Sequence, residues 1–311
     1  MSRRPLRLRT PGTLLLAAIL AACGPSEPRG AGPKAGSLVI TASQYPLDEF
    51  ARQVAGDGVE VMTLVPAGVE PHDWEPAPRD LVSLARARLL IVNGAGMEPW
   101  VSRLTPEIVS RGTRLVTTTA GLALLSAGTS GASPTAAPDP HVWLDPTLAQ
   151  GQVVAIRDAL AETDPPRRAT YLANAEALLG RLRALDARIE EGTRACRRRE
   201  MLVTHAAFAY LARRYRLTQV ALLGASPDAE PSPAELAAIV RRARTTGARH
   251  VFMEPLAGRR LAETLAREIP ATLLTLNPLE GLTDQDRAAG RDYVALMEAN
   301  LASLRQGLDC P

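Results

Sequence analysis

Short apolar segments alternate with amphipathic helical patterns along both halves of the chain, and this alternation constrains the fold more than any other feature. The predicted strands are Leu38–Ala42, Val59–Val65, Leu89–Asn93, Leu115–Thr118, Met201–Thr204, Val220–Leu223, His250–Met253 and Thr272–Leu276. The predicted helices lie near residues 46–55, 78–87, 97–110, 206–216, 233–246, 258–268 and 284–305. Strands that alternate with helices form parallel sheets. The sequence therefore predicts an α/β protein with one small parallel sheet in each half.

A long amphipathic helix is predicted between the two halves. Asp164 and the two prolines after it supply an N-cap and a suitable first turn. Apolar residues then recur every three or four positions from Leu172 to Ile189, so one helix is expected to run to about Arg194. At 1.5 Å per residue this helix is about 45 Å long. We expect a rigid connector, which predicts little hinge closure between the halves.

The connector separates two predicted metal-binding domains. The N-terminal domain covers residues 37–163, the connecting helix residues 164–195, and the C-terminal domain residues 196–311. Cys196 and Cys310 are an even pair once Cys23 is set aside, and in an exported protein we expect them to form a disulfide. Two free thiols are the alternative.

The start of the chain predicts export. An arginine-rich start and the apolar stretch Leu14–Ala22 are followed at once by Cys23. The apolar stretch is shorter than the roughly 20 residues needed to cross a bilayer, so residues 1–22 are predicted to be a cleaved signal peptide. The small residues before Cys23 resemble a bacterial lipobox, which implies a lipid anchor at the cell envelope, in the periplasm or on the outer face of the plasma membrane. Residues 23–36 are then a flexible tether, and an ordinary signal peptide with a chance cysteine is the alternative.

The charge of the chain argues against a nucleic-acid partner. Four arginines lie in the first ten residues, and removing them from the formal net charge of +3 leaves −1. With only 3 Trp, 5 Tyr and 3 Phe, there are few aromatic side chains on which bases can stack. We expect a monomer that does not bind nucleic acid.

Two similar tetrapeptides, Pro71-His72-Asp73-Trp74 and Pro140-His141-Val142-Trp143, contain half of the four histidines. Imidazole is the commonest protein ligand for zinc-like ions. Ligands bind beyond the carboxyl ends of parallel strands, and His72, His141 and His205 each follow a predicted strand. A single histidine is more often structural than metal-binding, but three at one edge favour a metal site. His250 begins a strand at the opposite edge, where we expect no functional role.

The residues around these histidines resemble the solute-binding lipoproteins of zinc and manganese ABC transporters, the ZnuA-like proteins in the broad sense. The segments 71–76, 139–146 and 204–211 look like the first, second and third ligand loops of that family, and the likeness covers most of residues 37–305. The resemblance implies binding of a divalent ion and its delivery to an ABC permease and its ATPase. It also implies that His205 favours zinc, because manganese members carry a glutamate there.

The expected fourth ligand departs from the family pattern. Where the resemblance implies an aspartate in a Leu-Asp-Pro segment, this chain has Asn277. Three imidazoles and an amide would leave a buried divalent ion at its full charge. Three ligands remain open at this position: the carbonyl oxygen of Asn277, a water or hydroxide, or a nearby carboxylate, with Glu254 as the first candidate and Glu280 as the second. A role for Glu254 in supporting a ligand or capping a helix is the alternative.

Other functions remain open at this point. A site of three histidines with Glu254 as general base would also suit a zinc hydrolase, but the chain has no His-Glu-X-X-His motif. Receptors for manganese or iron, and an adhesin, are further alternatives within the same family. We expect no enzyme but a receptor that carries Zn²⁺ as its transported ligand.

Overall fold

Each half of the chain forms a four-stranded parallel sheet. The computed structural model describes residues 38–127, 137–221, 233–245, 249–256, 263, 267–268 and 271–311. The strands are β1 (Leu38–Ala42), β2 (Val59–Thr63), β3 (Leu89–Val92), β4 (Arg114–Thr117), β5 (Glu200–Val203), β6 (Thr218–Ala221), β7 (His250–Met253) and β8 (Thr272–Thr275). The first sheet has the order β2-β1-β3-β4 and the second has the order β6-β5-β7-β8, with every pairing parallel. The predicted fold class is confirmed.

Helices pack around and between these sheets. The α-helices are α1 (Tyr45–Ala55), α2 (Pro78–Leu84), α3 (Val101–Ser110), α4 (Pro146–Thr163), α5 (Arg168–Arg194), α6 (Ala209–Arg214), α7 (Pro233–Thr245), α8 (Asp284–Ala288) and α9 (Tyr293–Gly307). Short 3₁₀ turns precede α4 and α5, at Val142–Leu144 and Pro165–Arg167. The helix predicted near residues 258–268 lies largely outside the described residues.

Two helix predictions differ from the structure. Helix α4 was not predicted, although Asp145 caps it by accepting a hydrogen bond from the amide of Thr147, and Pro146 occupies its first turn. The helix predicted near residues 284–305 is divided into α8 and α9. The division follows Gly290, whose φ of +61° is incompatible with helix, and Asp292 caps the new start.

The predicted connecting helix is confirmed as the turn Pro165–Arg167 followed by α5. Helix α5 packs against α1 and α4 of the first half and against α9 of the second half. Its buried side chains lie at three- and four-residue spacing, and they are Tyr171, Ala175, Leu178, Leu179, Leu182, Leu185, Ile189 and Thr193. All of these except Thr193 belong to one hydrophobic core that also contains residues of both sheets, such as Ile40 and Met201. This shared core supports the predicted rigidity, which stays a prediction.

The C-terminal end is fixed next to the end of α5. Cys196 and Cys310 form the predicted disulfide across a sequence separation of 114 residues. Beside it, the amide of Arg198 donates a hydrogen bond to the carbonyl oxygen of Leu308 over 3.0 Å. The predicted signal peptide, tether and Cys23 lie outside the described residues. Among the described helices, none combines the length and apolar character needed to cross a bilayer. The predicted domain boundaries stay predictions.

Candidate metal site

Four side chains converge at the carboxyl edges of the two sheets. His72 lies on the loop after β2, His141 on the segment between β4 and α4, His205 after β5, and Glu280 after β8. One ligand atom from each lies within 4.8 Å of the others. The structure thus brings the three predicted histidines together and adds one carboxylate, and we call these four residues the site cluster.

The distances within the site cluster suit one shared cation. Nε2 of His141 lies 2.9 Å from Oε1 of Glu280 and 3.1 Å from Nε2 of His72. Oε1 of Glu280 also lies 3.4 Å from Nε2 of His72 and 3.7 Å from Nε2 of His205. Nε2 of His205 and Oε2 of Glu280 are buried without a hydrogen-bond partner among the described residues. Buried polar atoms without partners are costly, and a bound ion would satisfy both.

Carboxylates behind two of the rings orient them. Oδ1 of Asp139 lies 2.7 Å from Nδ1 of His141, and Glu254 contacts Nδ1 of His205. Since an ionised carboxylate accepts hydrogen bonds, each Nδ1 carries a proton, which leaves Nε2 of each ring as the nitrogen that would bind an ion. The hydroxyl of Thr204 donates to Glu254 over 2.7 Å, which holds that carboxylate in place.

The same contacts shift the ionisation of the two rings. Burial lowers the pKa of His141, but hydrogen bonds to Asp139 and Glu280 outweigh it and raise the pKa to about 9. For His205, burial is likewise outweighed by the hydrogen bond to Glu254 and by the nearby carboxylate of Glu280, which raise the pKa to about 10. Each ring is therefore surrounded by negative charge. A bound divalent ion would replace these protons as the positive partner of the carboxylates.

Two acidic side chains with opposite pKa shifts flank His72. Burial opposes ionisation of Glu280, but hydrogen bonds from His141, His205 and His72 hold its pKa well below the usual range. Burial raises the pKa of Glu70 to about 8, and the charge of Glu280 adds to this increase. Glu70 was not predicted as a site residue. Its only sequence signal is its position two residues before a candidate ligand.

The fourth position of the site cluster differs from the first expectation. Oδ1 of Asn277 accepts a hydrogen bond from the amide of Leu279 over 2.8 Å, so the amide group of Asn277 stabilises its own turn. Leu279 has a φ of +60°, and this turn directs the next residue, Glu280, into the site cluster. Glu254, the first carboxylate candidate, contacts the outer nitrogen of His205 instead. The second candidate, Glu280, occupies the place that was expected for Asn277.

Hydrogen bonds between the halves hold the second histidine loop. The indole nitrogen of Trp143 donates a hydrogen bond to the backbone carbonyl oxygen of Pro278 over 2.7 Å. The hydroxyl of Tyr210 donates a hydrogen bond to the backbone carbonyl oxygen of Asp139 over 2.8 Å. Trp143 is fully buried and its ring centroid lies 5.4 Å from that of His141. His250 begins β7, at the opposite edge of its sheet from the site cluster.

The chain matches the sequence profile of a family described as "Zinc-uptake complex component A periplasmic", ZnuA, over residues 40–307. The chain belongs to this family. It is 34% identical over 299 residues to the high-affinity zinc uptake system protein ZnuA of Bacillus subtilis, a match that covers 93% of this chain and 94% of the relative.

The chain is also similar to a second relative and to a solved structure with a ZnuA-like domain. The zinc-binding lipoprotein AdcA of Streptococcus pneumoniae is 36% identical over 282 residues, which are 88% of this chain and 56% of AdcA. The chain thus spans about half the length of the AdcA proteins it matches. The crystal structure of the Zn(II)-bound ZnuA-like domain of that AdcA is similar with a TM-score of 0.78 and 37% identity, over 88% of this chain and 100% of the domain.

Proposed function

We propose that the protein binds one zinc ion through His72, His141, His205 and Glu280 and delivers it to an ABC permease that its ATPase drives. The observation that carries the proposal is the site cluster, four potential ligands within 4.8 Å of one another, with two buried polar atoms lacking partners. Membership in the ZnuA family supports the transport role.

The ligand set favours zinc over manganese or iron. Three imidazoles and one carboxylate at a four-ligand site are typical of zinc, whereas manganese prefers oxygen-rich sites. Glu280 neutralises half of the charge of a divalent ion, and Asp139 and Glu254 add negative charge behind the rings. The charge of the ion is therefore partly neutralised, which a neutral amide ligand at Asn277 would not achieve. The relatives named after zinc support the same choice.

The geometry argues against the hydrolase alternative. Catalytic zinc sites keep a position open for water. Glu280 fills the fourth position of the site cluster, and Glu254 contacts the outer nitrogen of His205, where it cannot act on a zinc-bound water. Nothing in this geometry favours adhesion.

Calorimetry on metal-free protein tests the ligand assignment. We expect one zinc per chain for the wild type, and a loss of more than about 100-fold in affinity for His141→Ala and Glu280→Ala, because removing a ligand costs more than removing its supporting partner. Asn277→Asp is the matched comparison, and we expect it to leave the affinity within about tenfold, since position 277 faces its own turn. An unchanged isotherm for Glu280→Ala would refute the assignment.

We further propose that the protein is exported and anchored by lipid on Cys23, and that it acts as a monomer. The apolar stretch before Cys23 and the lipoprotein relative AdcA support the anchor. We expect the wild type in the membrane fraction of cells and Cys23→Ser in the soluble exported fraction. Wild-type protein found only in the soluble fraction would refute lipid anchoring and leave the zinc assignment unaffected.

A further inference from the structure

Among the four side chains of the site cluster, that of His72 is the most exposed. The side chains of His141 and His205 are 0% exposed and that of Glu280 is 1% exposed, whereas those of His72 and Glu70 are 13% and 15% exposed. Among the described residues at the site, solvent therefore reaches the segment that carries His72 and Glu70 most readily. We call this segment, residues 68–72, the mouth.

The mouth lies against the second half of the chain. A Cβ atom placed on Gly281 would lie 3.2 Å from Cδ1 of Leu256 and 3.7 Å from the carbonyl oxygen of Val69. Gly281 is the residue after Glu280, so the backbone of the mouth packs close to the fourth ligand.

Glu70 is placed beside the site cluster without a cation of its own. Its Oε1 lies 4.0 Å from Nε2 of His72 and accepts a long hydrogen bond of 3.4 Å from the amide of the same residue. Oε1 of Glu280 lies 3.4 Å from that same ring nitrogen. No lysine or arginine among the described residues pairs with Glu70. Glu70 and Glu280 therefore both place a carboxyl oxygen near the ring nitrogen through which His72 would bind an ion.

We propose that Glu70 is a transit ligand, which takes the zinc ion at the mouth, passes it to His72, and takes it again on release. This inference rests on the proposed zinc function. A zinc ion exchanges water for protein ligands in steps, and Glu70, the more exposed of the two carboxyl groups near His72, supplies the first oxygen. His72, whose ring nitrogen both carboxylates approach, is the next ligand. Glu70 thus sets the rates of uptake and release, while the site cluster sets the equilibrium affinity.

Stopped-flow measurements on the full chain test the proposal with Glu70→Gln. Association is followed with zinc alone, and release with an excess of a fluorescent chelator. We expect Glu70→Gln to slow both rates by about tenfold, since the ion loses the same ligand at the barrier on entry and on release. The dissociation constant stays within about threefold, because both rates fall together. Glu75→Gln is the matched control, because Glu75 lies on the same loop but is 52% exposed and pairs with Arg103; both of its rates should match the wild type.

Each other outcome overturns the proposal in a recognisable way. Wild-type rates in Glu70→Gln would show that Glu70 takes no part in transit. An affinity that falls as far as in Glu280→Ala, with association unchanged, would show that Glu70 is an equilibrium ligand instead. Equal slowing by Glu75→Gln would assign the effect to the overall charge of the loop. Failure of the wild type to bind zinc would refute the proposed function itself, and this result is distinguishable from all three.

Discussion

The two halves of the molecule have the same strand order but supply their ligands differently. His205 and Glu280 of the second half lie close behind the ends of β5 and β8, and both are fully buried. His72 of the first half lies on a longer loop after β2 and keeps partial exposure. His141 is buried although it also lies on a first-half loop, because the second half holds that loop through Trp143. The second half therefore buries both of its own site residues and holds the loop of His141, whereas His72 is the member of the site cluster that keeps exposure.

We expect the largest effect from removing the disulfide, which should destabilise the second half more than the first. Replacing Cys196 and Cys310 with serine removes a crosslink over 114 residues that lies in the second half, with an expected loss of about 4 to 5 kcal/mol in the chain-entropy model. Urea unfolding in the presence of a chelator measures the total loss. Hydrogen exchange should rise more in β5–β8 than in β1–β4. An equal rise in both sheets would show that the shared core makes the halves one cooperative unit.

Removing single ligands tests which half fixes the ion. We expect His205→Ala to weaken zinc binding by more than about 100-fold, because it also leaves Glu254 without its partner in a buried place. His72→Ala should cost less, since water can reach the vacated position at the mouth. His250→Ala is the control and should bind zinc as the wild type does, because it lies at the opposite edge. A larger loss for His72→Ala than for His205→Ala would reverse the comparison.

The carboxylates behind the rings provide a finer test. Glu254→Gln and Asp139→Asn should each weaken zinc binding by about 10- to 100-fold, because the neutral amides hold the Nδ1 protons less well and remove a negative charge near the ion. Isothermal titration on both variants gives the comparison, and circular dichroism confirms their folding. Similar losses are expected, since both partners are buried. Wild-type affinity in either variant would show that the ring it contacts is positioned by packing alone.

We expect the smallest change in stability from replacing the partners of Arg181, a residue of α5 that contacts both halves. Its guanidinium donates to Gln53 of α1 over 2.9 Å and also contacts Asp292, which caps α9 by accepting from the amide of Ala295. Asp292→Ala should cost about 1 kcal/mol of unfolding free energy through the lost cap. Gln53→Ala should cost less, because it removes hydrogen bonds with the side chains of Arg181 and Glu49 but no helix cap. Thermal denaturation measures both variants.

The contribution of Asp292 also depends on pH. Burial opposes its ionisation, but hydrogen bonds from Arg181 and from the amide of Ala295 lower its pKa in the folded state. A lowered folded pKa stabilises the protein above the pKa of the unfolded chain, near 3.9, and this contribution is lost as the pH falls through the folded value. The difference between wild type and Asp292→Ala should therefore shrink below about pH 4. A constant difference would mean that the charge of Asp292 contributes nothing.

The sequence predicted most of the fold because buried parallel strands are short apolar runs with clear boundaries. Helix α4 was missed since its capping pair, Asp145 and Pro146, belongs to the same segment as the His141 motif and was interpreted only as part of it. The break between α8 and α9 depends on a positive φ at Gly290, which periodicity does not reveal.

The site was harder to predict at its fourth position. The convergence of His72, His141 and His205 follows from their places after strand ends, which sequence order already indicates. Whether Asn277 or Glu280 reaches the site cluster depends on the left-handed turn at Leu279, and a leucine gives no signal for such a conformation. Local geometry after the strand, and not residue type, decided the outcome.

The long sequence separations within the site cluster link zinc to folding. His72 and His141 are 69 residues apart, and His72 and Glu280 are 208 apart, so these ligand atoms meet only when both sheets and α5 have assembled. An unfolded chain has no such site, and zinc therefore stabilises the native state by about 2.7 kcal/mol when free zinc is 100 times the dissociation constant. A copy in which only one half has folded lacks the complete ligand set. A bound ion thus marks a copy that has completed its folding.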